Sequence, residues 1–308
     1  DTQVKINSEF TIIKKYLSGI GAAYLNSNGV ELAGGDDCAV LATQAKLLIS
    51  TDTSVAGIHF LKSMQPHAIA YRAVSTALSD IAAMGGVPTA FNLSLVIPTF
   101  DPSWMKDFRK GLIKISKEHK IPLIGGDLVK GPLQISVTVL GQPGRKILLR
   151  SGAKHGDILC LSGVLGQAYM GLKEFKASSL INAQTKPYLF PKAQVGYAQA
   201  IAPYATAAID VSDGIFQDLS HLIDQSNIGC ELDLEQVPVA DSLYQKQCLE
   251  FGDDYQLLFT VPPNKLALLQ SKIKSMGKKC HTIGVMKGTR LKILNNPFKT
   301  IKNWDHFR

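Results

Sequence analysis

Short apolar runs bounded by turn residues recur along the chain, and longer stretches of mixed apolar and charged positions separate them. "KLLIST" (46–51), "FNLSLVIP" (91–98), "LQISVTVLG" (133–141) and "DILCLSG" (157–163) read as strands. "PHAIAYRAVSTALSDIAAMGG" (66–86) has Pro at its start and glycines at its end, which predicts one Ala-rich helix. "SWMKDFRKGLIKISKEH" (103–119) has the spacing of an amphipathic helix. Further on, helices are expected near 166–175, 193–202, from about 214, and at 264–276. Strands are expected at "AAIDVS" (207–212), "YQLLFTV" (255–261), 281–286 and 290–294. Such alternation predicts an α/β or α+β architecture.

A length of 308 residues exceeds one ordinary core, so two domains are expected, and the polar, turn-rich "RSGAKHGD" (150–157) marks the break. The expected domains are 1–149 and 150–308. With 45% hydrophobic and 19% charged residues, the chain reads as folded and globular. No apolar run approaches the ~20 residues of a membrane span. The opening "DTQVKINSEF" is polar, without a signal-peptide core, and without Met. The cysteines at 38, 160, 230, 248 and 280 are widely spaced with no C-x-x-C pair, which argues for a reducing, cytoplasmic setting. A net charge of +8 points to anionic partners. Nucleic acid is not expected, because the lysines concentrate in "SKIKSMGKKC" (271–280) without interleaved aromatics.

Against that basic background, aspartates flanked by glycine stand out: "LAGGDDCAVL" (32–41), "LIGGDLVKG" (123–131), "IDVSDGIFQDL" (209–219) and "EFGDDYQLLF" (250–259). Adjacent carboxylates repel, so they need a cation or water. Asp52 closes a strand with Ser50, Thr51 and Thr53 beside it, an oxygen-rich set suited to Mg²⁺; by itself it reads equally as a turn cap. Asp80 lies near the C-terminal end of an Ala-rich helix, where the macrodipole disfavours negative charge. A metal is one remedy and a salt bridge to Arg72 the other, although Arg72 is roughly two turns away. Asp127 follows two glycines that allow close backbone approach. Asp210 and Asp213 bracket a strand-to-helix junction where amides and Ser212 could meet phosphate, and Asp213 alone would serve as an N-cap. The chain has no P-loop motif, no strand–helix G-x-G-x-x-G, no kinase H-R-D with D-F-G, no G-x-S-x-G elbow and no H-E-x-x-H. The residues together point to a multi-metal, phosphate-handling site.

"GGDDCAVL", "ISTDTSVAGIHF", "YRAVSTALSDIAAMGGVP", "LIGGDLVKGPL", "RSGAKHGD", "AIDVSDGIFQDL" and "FGDDYQLLF" occur in the order found in bacterial thiamine-monophosphate kinases. The chain resembles that family, within the aminoimidazole ribonucleotide synthetase-like superfamily, from "EFTIIKKYL" to "WDHF". The resemblance implies two α/β domains, with N-terminal sheets of two subunits pairing into a barrel in a homodimer. It implies ATP-dependent conversion of thiamine monophosphate to thiamine diphosphate with several Mg²⁺ ions. By motif, Asp37, Ser50, Thr51, Asp52, Asp80, Asp127, Asp210 and Asp213 would hold metal. Gly126, Asp127, Arg150 and Ser212 would meet ATP, and His59, Asp253 and Trp304 the acceptor. The residues implied to carry the reaction are Asp52, Asp80, Asp127, Arg150 and Asp213. The chain departs from the family pattern at Leu128, where Thr is usual, at Asp253, where Glu is usual, and at Lys186 and Lys192, where Arg is usual. Sibling readings are another phosphotransferase or synthetase of the superfamily, or a catalytically weak nucleotide-binding homologue.

Overall fold

A computed structural model of the chain describes residues 12–32, 40–42 and 46–301. The predicted site residues Asp37 and Trp304, and the paired Asp36, lie outside the described residues. The chain divides into two compact units, one of 1–81 with 88–142 and one of 82–87 with 143–308. The break falls between Gln142 and Pro143, earlier than the expected 149/150. The reason is local: Pro143 and Gly144 cannot continue the preceding strand, and Leu148 is fully buried in the second unit's core.

In the first unit, β1 (Val30–Leu32) and β2 (Val40–Leu41) form a small antiparallel pair, and β3 (Leu48–Val55) opens the main sheet. Next come α1 (Pro66–Ala83), β4 (Val87–Ile97), α2 (Pro102–His119), β5 (Leu123–Lys130) and β6 (Gln134–Gln142). The four-stranded sheet has the order β3-β6-β4-β5. The helix expected over 66–86 forms as α1, and the chain turns away at Gly85, whose φ is +70°. The amphipathic helix α2 starts where Asp101 accepts the Ser103 N–H at 2.8 Å, and it stops at a left-handed Lys120. Its buried Phe108, Leu112 and Ile115 recur at helical spacing.

β5 was not expected as a strand, since "LIGGDLVK" carries two glycines in its middle. Those glycines are what admit it to the sheet. A Cβ on Gly126 would lie 1.9 Å from the Leu93 carbonyl oxygen of the parallel neighbour β4.

In the second unit, β7 (Ile158–Leu161), α3 (Gln167–Ser178), α4 (Lys186–Leu189), α5 (Val195–Ile201), β8 (Ala207–Val211), α6 (Ile215–Ser226) and β9 (Cys230–Asp233) follow one another. α7 (Gln245–Glu250), β10 (Gln256–Val261), α8 (Pro263–Ser275), β11 (His281–Met286) and β12 (Leu291–Leu294) complete it. The six strands take the order β12-β9-β11-β7-β10-β8, mostly antiparallel. β9 was also unexpected; it fills the gap between β12 and β11. One face carries Leu159, Leu161, Ile209, Val211 and Leu258 against Leu219 and Leu222 of α6. The other carries Cys160, Ala208, Leu257 and Phe259 against Tyr197 and Ile201 of α5 and Leu269 and Ile273 of α8. Alternate residues of each strand therefore supply separate cores, as strand geometry requires.

Gly111 marks the tightest approach of α2 to α1. A Cβ there would meet the His67 carbonyl oxygen at 2.1 Å and the Ala70 Cβ at 2.8 Å. Helix propensity favours alanine over glycine by about 1 kcal/mol, whereas overpacking costs about 1–3 kcal/mol. Gly111→Ala is therefore expected to destabilise the chain by about 1 kcal/mol or more in urea unfolding. A stabilised variant would mean that propensity outweighs the contact.

Candidate functional site

In the first unit, the α1-facing side of β3 gathers oxygen atoms. Ser50, Asp52 and Ser54 alternate onto that face, opposite the buried Val139, Val137 and Ile135 of β6. Thr76 of α1 donates its hydroxyl to Asp52 Oδ2 at 2.7 Å, and Ser50 Oγ donates to Asp80 Oδ2. Two carboxylates one helical turn apart, Asp52 through Thr76 and Asp80 directly, are thus tied to a single strand–helix contact. Both are part-exposed. The donors are all hard oxygens, the set that Mg²⁺ takes when water and phosphate complete its shell.

Strand alternation sends Thr51 elsewhere. Its hydroxyl exchanges a 2.9 Å hydrogen bond with Thr138 on the opposite face, just as Thr53 does with Ser136 at 2.8 Å. Thr51 could join the Asp52 group only through its backbone. Asp127 is also apart. It lies on β5, three strand positions from β3, and pairs in register with Ser94 of β4. Asp127 is exposed, and its carboxylate accepts the next amide, Leu128 N–H, at 2.9 Å. Gly126 serves here as a packing residue against Leu93. His59 accepts the Val55 N–H on Nδ1 at 3.0 Å, so its neutral ring carries the proton on Nε2 and points a donor away from the strand.

The second unit brings two of the predicted motifs together. β8 and β10 pair antiparallel, with Asp210 opposite Leu257, and the pairing carries the 211–214 loop beside the 250–255 turn. Asp253 N–H donates to Ser212 O and Tyr255 N–H to Val211 O, each at 2.9 Å. Gly252 makes this junction possible: its φ is +74°, and a Cβ would stand 2.2 Å from Ser212 O. Asp253 and Tyr255 are also left-handed, with φ of 62° and 50°, each at a cost on the order of 1 kcal/mol. The Tyr255 hydroxyl then donates to Asp253 Oδ1 at 3.0 Å.

Two buried aspartates that the sequence reading did not single out hold these loops. Asp218, on α6, accepts the Asp213 N–H at 3.1 Å. Burial first, and then the charges of Asp210 and Asp213, push Asp218 up to about 8. Its signal was present in the sequence: it sits between Ile215 and Leu222 on the apolar face of the helix, where a carboxylate is out of place. Asp254 accepts the Gly166 N–H at 2.5 Å and the Ala168 N–H at 2.9 Å, and burial pushes it up to about 7. Asp213 is not the helix N-cap; Gly214 is, and the Asp213 carboxylate accepts from Gln217 Nε2 at 3.1 Å. Since Asp218 takes the Asp213 amide, that donor is not free for phosphate, and Ser212 has its hydroxyl to offer.

Arg150 stands away from this loop. Its carbonyl accepts from Ser226 Oγ at 2.9 Å, at the far end of α6, and 12 helical residues span roughly 18 Å. Among the described residues, no three carboxylate, imidazole or thiol groups gather closely enough to hold a metal by themselves.

Gly252→Ala is expected to open the loop junction, because neither Ser212 O nor the backbone beneath it can retreat by about 1 Å without breaking β-pairing. Acceptor turnover should collapse while the far-UV circular dichroism stays native. Asp254 keeps its proton to higher pH in the folded chain than its ordinary value of 3.8, so its contribution to stability is present below that value and lost as pH rises through about 7. Thermal melts of Asp254→Asn should accordingly vary less with pH between about 4 and 8 than melts of the parent.

Comparison with known proteins agrees with the two-domain α/β fold. Residues 35–142 match the family described as AIR synthase related protein, N-terminal domain, and 142–294 match its C-terminal domain. The chain is 35% identical to a thiamine-monophosphate kinase of Buchnera aphidicola subsp. Schizaphis graminum over 97% of its own length and 99% of the relative. A solved thiamine-monophosphate kinase from Stenotrophomonas maltophilia K279a superimposes with a TM-score of 0.83 at 31% identity, covering 93% of this chain and 96% of that one. AaThiL complexed with AMPPCP and TMP superimposes with a TM-score of 0.76 at 28% identity, covering 100% of this chain and 99% of that one. Matched over both domains and nearly end to end, the chain belongs to the thiamine-monophosphate kinase family of AIR synthase related proteins.

Proposed function

We propose that the chain transfers the terminal phosphoryl group of ATP to thiamine monophosphate, giving thiamine diphosphate and ADP. The observation that carries this reading is the near full-length relation to thiamine-monophosphate kinases in a chain that keeps the Ser50–Asp80 and Thr76–Asp52 oxygen pairs. The AMPPCP and TMP held by AaThiL support the same pair of ligands here.

The chemistry asks little of the protein beyond placement and charge. The nucleophile is a phosphate oxygen whose second pKa is ~6, so it is mostly ionised at neutral pH. No general base is needed, and His59 is not arranged as one, since its Nδ1 already accepts the Val55 amide. Its Nε2–H is suited to donate to an acceptor oxygen. Asp52 and Asp80 on one unit, and Asp210 and Asp213 on the other, would hold Mg²⁺. Magnesium bound there would neutralise the phosphate oxygens of two mutually repelling polyanions. Ser212 and Asp253 offer a hydroxyl and a carboxylate at one junction, Ser212 toward the nucleotide and Asp253 toward the acceptor. Asp37 and Trp304 belong to the same proposal by motif, as metal and acceptor residues. Asp127, as a metal and nucleotide residue, and Arg150, as a nucleotide residue, belong to the proposal by motif. A homodimer in the cytoplasm completes the reading.

Incubation with ATP, Mg²⁺ and thiamine monophosphate, followed by product identification, tests the reading directly. Thiamine diphosphate is the expected product, and ATP hydrolysis without it would favour a sibling activity. Unphosphorylated thiamine should be a poor acceptor, because its alcohol would need a base. Asp80→Asn should reduce turnover on the order of 10²-fold or more with little change in melting temperature, since the carboxylate faces Ser50 rather than a packed core. Near-normal turnover would return Asp80 to a structural role.

A further inference from the structure

The 252–255 turn is held from two sides by independent bonds. On one side the backbone ties Asp253 and Tyr255 to β8 and its loop, through Ser212 O and Val211 O. On the other, the Asp254 carboxylate reaches across 88 and 86 positions of sequence to Gly166 N–H and Ala168 N–H at the start of α3. Those amides lack partners within their own helix, and the helix dipole favours an anion beside them. Asp254 is 9% exposed and directly follows the left-handed Asp253. Gln256 is fastened to the same segment, since Ser162 Oγ donates to Gln256 Oε1 at 2.8 Å. The Ser212–Asp213 loop has further supports of its own, in Asp218 and the β8–β10 ladder.

We infer that Asp254 is a positioning residue: its carboxylate, seated on the first amides of α3, holds the strained 252–255 turn in the shape that presents Asp253 to the acceptor. This rests on the reading that Asp253 faces thiamine monophosphate. The carboxylate needs both oxygens as acceptors, so an amide in its place loses one bond and sets an N–H₂ group against an N–H.

Kinetics of Asp254→Asn in the full-length chain test the inference. The KM for thiamine monophosphate should rise about tenfold, the scale of one lost hydrogen bond, while the KM for ATP stays within about twofold. Asp157→Asn is the control. Asp157 is equally buried, accepting from Lys154 N–H at 2.9 Å and Thr206 Oγ1 at 2.6 Å, and carries no role in the site. Its substitution should move the melting temperature but neither KM. Ala168→Pro removes one donor and leaves the carboxylate intact, since proline is tolerated in a first helical turn. It should reproduce the acceptor-specific rise and serves if Asp254→Asn does not fold. Equal rises in both KM values, an unchanged acceptor KM, or the same acceptor effect in Asp157→Asn would overturn the role of Asp254. A parent chain that makes no thiamine diphosphate would overturn the functional reading itself.

Discussion

Buried carboxylates must find hydrogen-bond donors, and the loops of the second unit are shaped by that demand. Asp157, Asp218 and Asp254 are each under a tenth exposed, and each accepts N–H groups from backbone that no strand or helix ladder has used. An unmet carboxylate in such a place would be strongly destabilising, so each one fixes the segment that meets it. Asp218 fixes the loop before its own helix, and Asp254 joins a turn to a helix start far away in sequence. The glycines complete the arrangement by letting backbones close to distances that no side chain permits, as at Gly252 against Ser212. Strain in the turn and buried charge beneath it are two parts of one construction, each holding the other in place.

The same physics separates the candidate residues into groups with different tasks. Ser50, Asp52, Thr76 and Asp80 share one strand–helix contact in the first unit. Asp210, Ser212, Asp213 and Asp253 share a loop junction in the second. Asp127 stands on a strand separated from that of Asp52 by two others, and the Arg150 backbone lies at the opposite end of α6 from the Ser212 loop. For phosphoryl transfer between two polyanions this distribution is reasonable, because the charge to be neutralised is spread along the phosphate chain rather than concentrated at one atom. An ion held by two carboxylates leaves coordination positions for phosphate, and a complete protein cage would compete with the substrate.

Much of this was legible beforehand, and the reasons are specific. α1 announces itself through Pro66 at its start and the glycines at its end, and α2 through the amphipathic spacing of 103–119. Eight predicted strands correspond to β3, β4, β6, β7, β8, β10, β11 and β12, because local alternation is a property of contiguous residues. The aspartate pairs were visible as an electrostatic anomaly in a chain of net charge +8. Even the turning away of Thr51 follows from period two in a strand that carries Ser50 and Asp52 on its other face.

What the amino-acid order determined by itself is therefore local: which segments are helices and strands, and which carboxylates stand beside glycine. Only the tertiary structure decided the rest. β5 exists as a strand because β4 offers a parallel edge that accepts Gly126 at close range, a condition absent from "LIGGDLVK" taken alone. Asp127 and Asp52 are separated because two other strands come between theirs. Asp254 matters because the amides of Gly166 and Ala168 lie against it, although nearly ninety residues intervene. Side-chain alternation and capping act over a few residues and leave a trace in sequence. Strand order and buried hydrogen-bond partners are settled by which distant surfaces meet, and no short stretch of the chain records that choice.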